Sequence, residues 1–146
     1  MNNPTDTNQA SELFELCKEV YRRTEWRDTL AVYEQTDSIP LGEPYIAYPE
    51  LERRYGLWGT QELKKRTPLY TSDYLLGKLP NKLIHDCDEY ADATFYFVLN
   101  QGEEGWYTCY ALNGGTKELR WLTKADTPLK ALLKLTIALS EAGELR

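Results

Sequence analysis

The sequence predicts an α+β fold. An antiparallel sheet of three or more strands is packed by a C-terminal helix, and an N-terminal helical region precedes it. Three observations predict this. Residues 93–123 alternate apolar and polar side chains in runs separated by the turn signals QGEEG and NGGT. Residues 126–143, DTPLKALLKLTIALSEAG, carry an apolar arc wide enough to bury the middle of a helix. A narrower helical stripe lies near the N-terminus. A strand meander with a helix on one face is a common way for two such elements to hide their apolar sides.

The elements follow in order. Residues 1–10 are polar and contain Pro4, so they are expected to be a disordered tail, with one domain over 11–146. Ser11 can cap a helix whose stripe is Leu13, Leu16, Cys17, Val20 and Tyr21, ending near Thr24. In residues 25–49, Leu30, Val32 and Ile46 suit short strands, TLAVYEQ being one candidate, while Pro40, Gly42, Pro44 and Pro49 break anything long. Residues 50–66 suggest one or two short helical turns interrupted by Gly56 and Gly59. A short helix capped by Ser72 packs Tyr74, Leu75, Leu76 and Leu79, and Pro80 stops it. Three strands follow, ATFYFVLN, WYTCYAL and ELRWLT. Asp126 or Thr127 caps the last helix, Pro128 occupies its first turn and Gly143 closes it.

Composition bounds the function. The 146 residues suit one ordinary domain, and 42% hydrophobic with 27% charged residues excludes a collagenous or fully disordered chain. The formal net charge is -6, against the basic surface that phosphate binding requires. Acidity is concentrated in residues 1–49 and 82–104, and the latter block holds one basic and six acidic side chains. Cys17, Cys87 and Cys109 are odd in number and widely spaced, which fits reduced thiols and a cytoplasmic location better than a disulfide framework. The first residues show no signal-peptide pattern, and no window is apolar enough to span a membrane.

Four constellations could carry chemistry. His85, Asp86, Cys87, Asp88, Glu89 and Asp92 gather metal-ligating types, with Cys109 available from a strand. Their spacing matches neither zinc nor EF-hand patterns, and a solvated acidic loop is the simpler reading. A Cys87–His85 nucleophilic pair is opposed by the acids around it. No nucleophile elbow, P-loop or dinucleotide fingerprint occurs, so no catalytic residue, metal or cofactor is expected and the chain is not expected to be an enzyme.

The third constellation is aromatic, with 4 Trp, 11 Tyr and 3 Phe. If Phe95, Phe97 and Leu99 face the last helix, Tyr96 and Val98 face away. Either Trp106 and Tyr110 or Tyr107 and Cys109 then join them, depending on register, with Arg120 or Trp121 on the third strand. Tyr, Trp and Arg together suit a binding face. The alternative is that residues 1–66 cover that face with their own aromatic side chains. The candidate interaction surface is therefore Tyr96, Trp106, Tyr110 and Arg120, with Asp86, Asp88, Glu89 and Asp92 beside them. The fourth is nucleic acid. The element order over 71–143 is that of a double-stranded RNA-binding domain, but the lysines opening the last helix, Lys124, Lys130 and Lys134, are diluted by Asp126.

The segments YTSDYLLGKLP (70–80) and ADTPLKALLKLTIALSEAGEL (125–145), with a Tyr- and Trp-rich hairpin between them, resemble small uncharacterised proteins of phages and prophages. HicB-type antitoxins share a similar meander and D-T-P helix, although this chain lacks their P-D-L-P-G segment and a DNA-binding tail. The resemblance implies an accessory protein and transfers no catalytic motif. The expected function is binding of a basic protein partner, as a regulator or inhibitor of a host nucleic-acid-handling or defence system. The alternative is a nucleic-acid or small-ligand binding module that uses an aromatic sheet face.

Overall fold

The computed structural model describes residues 4–36, 43–49, 64–87 and 91–145. The fold is α+β, with antiparallel sheets and a C-terminal helix packed on one of them. The chain divides into two compact units, Met1–Tyr70 and Thr71–Arg146.

The first unit contains helix α1 (Pro4–Thr24) and strands β1 (Val32–Thr36), β2 (Tyr45–Ala47) and β3 (Lys64–Pro68), in sheet order β2-β1-β3. Helix α1 starts at Pro4 rather than Ser11, with proline where its missing N–H costs no bond. It ends at Thr24 as expected, and Glu25 takes a left-handed φ of 57°. The buried stripe is Phe14, Cys17 and Val20, so only Cys17 and Val20 of the expected stripe lie fully inside. Phe14 meets Tyr33 of β1 edge-on at 5.1 Å between ring centroids. Burial pushes the Cys17 thiol up to about 11, opposed in part by a backbone hydrogen bond from Tyr70. The same cause raises the Tyr33 hydroxyl to about 12.

Residues 64–66, expected to be helical, are strand. With Thr67 and Pro68 they pair with β1, from Thr36↔Lys64 to Val32↔Pro68. The pairing brings the Arg66 guanidinium 2.9 Å from the buried carboxylate of Glu34, which also accepts from the Tyr45 hydroxyl at 3.0 Å. Ladder bonds and a satisfied buried charge outweigh the local helical pattern. The rest of the expected helical turns, residues 50–63, lies outside the described residues.

The second unit contains α2 (Ser72–Lys78), β4 (Lys82–His85), β5 (Ala93–Gly102), β6 (Gly105–Leu112), β7 (Leu119–Ala125) and α3 (Pro128–Glu141). Its four strands form an antiparallel meander in chain order. Four strands agree with the three or more that the sequence predicts, although Lys82–His85 is not among the strands it singles out. Thr71, one residue before Ser72, caps α2, with its Oγ1 accepting from the Tyr74 N–H at 3.2 Å. Thr127 caps α3 in the same way, accepting from Lys130 at 3.2 Å.

Helix α3 covers one face of this sheet. The hydroxyls of Thr108 and Thr123 share a hydrogen bond at 2.6 Å, and the one that accepts in it donates its own proton to the Ala131 carbonyl, which lies 3.3 Å from Thr108 Oγ1 and 3.1 Å from Thr123 Oγ1. Leu132, Leu133, Leu135 and Leu139 are wholly buried with Phe95 and Tyr110. The tight turn Glu103–Glu104 joins Gly102 to Gly105, which are cross-strand partners. Gly105 has φ of +127°, and a Cβ there would stand 2.6 Å from the Ala125 carbonyl oxygen, so the site demands glycine. Among the described residues no helix is long and apolar enough to cross a membrane.

Candidate binding face of the second sheet

Register decides which aromatic residues share a face. Phe97 pairs with Tyr110, and Leu99 with Thr108, which is tied to α3. The helix side therefore carries Phe95, Phe97, Leu99, Thr108 and Tyr110, and Trp106 has the same parity. The opposite side carries Tyr96, Val98, Tyr107, Cys109 and Ala111. Of the two registers open to the sequence, the structure takes the one that sets Tyr107 and Cys109 beside Tyr96.

Tyr110 is thus corrected from a surface residue to a core one. It is wholly buried, its hydroxyl donates to the Pro80 carbonyl at 2.7 Å, and burial holds its phenol well above the ordinary range. Trp106 is half-buried and has helix-side parity, and it meets the Tyr96 side only where it borders the cleft beside the Glu103–Glu104 turn.

Arg120 also turns to the helix side. The β6–β7 ladder is irregular between Thr108 and Tyr110, and Trp121 adopts φ of 54°. Such a bulge sends two successive side chains to one face. Arg120 lies over the Phe95 ring at 4.3 Å, and its guanidinium donates to the Asp86 carbonyl at 2.7 Å and to Glu118 at 3.2 Å. Trp121 packs edge-on against Tyr110 and His85. The arginine is a structural clamp on the acidic segment.

The acidic candidates separate in the same way. The Asp86 carboxylate accepts from the Asp92 N–H at 2.9 Å, and both residues are exposed. Asp88 and Glu89 lie outside the described residues. His85 Nε2 stands 2.9 Å from Glu144 Oε1, so the imidazole ties β4 to the segment after α3. Cys87 is half-buried, and Cys17 and Cys109 are buried free thiols. Among the described residues no group of three or more His, Cys, Asp or Glu side chains is arranged to hold a metal.

The open side exposes large apolar side chains, with Lys82 opposite Tyr96 and Lys124 opposite Tyr107 as its cations. Ile84 is 57% exposed, Leu122 47%, Tyr96 46% and Leu119 40%. Lys82, Tyr96, Ala111 and Leu119 occupy one cross-strand row, with Lys82 exposed at its β4 end and Ala111 small and buried between two large side chains. Ile84 lies diagonal to Tyr96 across the β4–β5 pairing. Toward the Glu103–Glu104 turn the face dips into a cleft of about 390 Å³, bordered by Trp106, Tyr107, Leu119, Leu122 and Lys124. Tyr107 accepts a hydrogen bond from Asn100 at 3.1 Å, which holds its ring over the strand pair.

Sequence reasoning does not single out Ile84, Leu119 or Leu122, whereas Tyr107 stands there as one of the two register alternatives. Period-two alternation along β6 and β7 carried part of that signal. The bulge, which resets the parity of β7, left no trace in the sequence. No protein family model, characterised protein or solved structure matches the chain.

Proposed function

We propose that this chain is a small acidic accessory protein that acts by binding a protein partner through the open face of its second sheet. The observation that carries this reading is the exposure of Ile84, Tyr96, Leu119 and Leu122 on a single sheet face. Large apolar side chains gathered on one surface are costly to leave in water and are a usual feature of interaction sites. The same unit exposes Asp86, Asp92, Glu103 and Glu104, in the segment between β4 and β5 and in the β5–β6 turn. These charges favour a basic partner and oppose nucleic-acid phosphate. A regulator or inhibitor of a nucleic-acid-handling or defence system, of the kind carried by phages, fits that chemistry because such systems present basic surfaces.

The test is affinity capture from source-cell lysate with the full chain and a Tyr96→Ser/Leu122→Ser variant, at low and high salt. The expected result is a discrete partner that the wild type retains, that the variant loses at unchanged thermal stability, and whose binding weakens as salt rises. Equal capture by both proteins overturns the assignment of the face. Capture independent of salt overturns the basic character of the partner.

A further inference from the structure

We infer that the cleft beside the Glu103–Glu104 turn takes one large apolar side chain of the partner, and that the residue next to it in the partner is a lysine or arginine. This rests on the reading of the open face as a protein-binding surface and specifies what that surface selects.

The cleft has the right size for an anchor. Its volume of about 390 Å³ lies near the lower end of the range for ligand sites, about 300–1,000 Å³. Its walls are apolar, from Tyr107, Leu119 and Leu122, and two of these are large aliphatic side chains left in contact with water. A small-molecule site encloses most of its ligand, whereas this cleft opens onto a face that continues through Tyr96 to Ile84. That continuity suits a side chain anchored inside a wider protein contact, where a few buried apolar groups carry most of the affinity.

The charges around the cleft set the chemistry of the flanking residue. Glu103 and Glu104 both border it, both are exposed, and neither has an ion-pair partner among the described residues. Lys124 borders it from β7, opposite Tyr107 in the ladder. Negative potential is thus placed at the turn end and positive potential on the strand side. A cation adjacent to the anchor is drawn to the turn and kept from Lys124, so the segment binds in one direction. An acidic flanking residue would meet two like charges at the turn.

Fluorescence anisotropy with labelled synthetic peptides tests this. The probes are short peptides with a central leucine or tryptophan, flanked by lysine, serine or glutamate, titrated against the full chain. The lysine-flanked probe is expected to bind most tightly. Leu122→Glu should weaken it by about tenfold or more, and Glu103→Lys/Glu104→Lys by about three- to fivefold. Leu119→Asn serves as a second cleft variant should Leu122→Glu fail to fold. Absence of binding by any probe overturns the inference, as does equal or tighter binding of the glutamate-flanked probe, or binding indifferent to the cleft variants. If Tyr96→Ser/Leu122→Ser loses the captured partner while Glu103→Lys/Glu104→Lys retains it fully, the binding face stands and the basic flank falls. If the lysine-flanked probe binds as expected while lysate yields no partner, the cleft chemistry stands and the protein-binding role falls.

Discussion

The two faces of the second sheet are built from similar residues and end in opposite states. On the helix side, Phe95, Tyr110 and Arg120 each have a defined partner: the Arg120 guanidinium, the Pro80 carbonyl and the Asp86 carbonyl. On the open side, Tyr96, Leu119, Leu122 and Ile84 remain 40–57% exposed. Aromatic content alone therefore does not identify a binding surface. What separates the faces is parity along the strands, together with one bulge that moves Arg120 and Trp121 to the helix side. The helix side is accounted for by folding, and the open side is the face we propose to bind a partner.

Substitutions should break the two faces differently. The largest effect is expected from Phe95→Ala, which empties a fully buried site and should cost about 3–5 kcal/mol in chemical denaturation. Leu122→Ser on the open face should stay within about 0.5 kcal/mol of wild type in the same experiment. A comparable loss from both would erase the distinction between the faces. Gly105→Ala comes next, because the new methyl group must displace the Ala125 carbonyl and the backbone must hold φ of +127°. A cost of about 1–3 kcal/mol is expected, read as a lower melting temperature.

Tyr110→Phe should cost about 1 kcal/mol by deleting the bond to Pro80. It also has a pH signature. The folded state holds the Tyr110 phenol above its ordinary value of 10.0. Its contribution is therefore full below pH 10 and is lost as pH rises beyond that, when the unfolded chain ionises first. Stability measured from pH 9 upward should fall more steeply for wild type than for Tyr110→Phe. Parallel curves would contradict the burial of this hydroxyl. The smallest effect on the helix side is Thr127→Ala, about 1 kcal/mol or less, since it removes one capping bond from α3.

The sequence made some of these features legible and hid others, for physical reasons. The last helix was readable because Thr127, Pro128, the leucines and Gly143 all favour the same structure. The β5–β6–β7 meander was readable from alternation and turn residues. Strand β4 escaped because Lys82–His85 is only four residues long and merges into an acidic segment. The β3 strand escaped because Lys64, Lys65 and Arg66 carry no strand pattern, and Glu34 across the ladder supplies the reason for their place. The candidate binding face is half legible in the sequence. Tyr96 followed from the alternation of β5, whereas the choice between Tyr107 and Tyr110 depended on register. The outward turn of Leu119 and Leu122 depended on a tryptophan adopting a left-handed φ, a conformation that its residue type does not announce.

The central claim is that the partner seats on the open face of the second sheet, with the Glu103–Glu104 turn at its edge, and not on the helix side. Site-specific photo-crosslinking tests it most directly. A photoreactive phenylalanine analogue is placed in turn at Leu122, at Tyr96 and at exposed control positions Asn113 and Gly77, followed by irradiation in source-cell lysate. A single crosslinked species from Leu122 and Tyr96, absent from both controls, is the predicted result. Crosslinks of equal yield at the controls, or none from Leu122 and Tyr96 while the controls react, would contradict it.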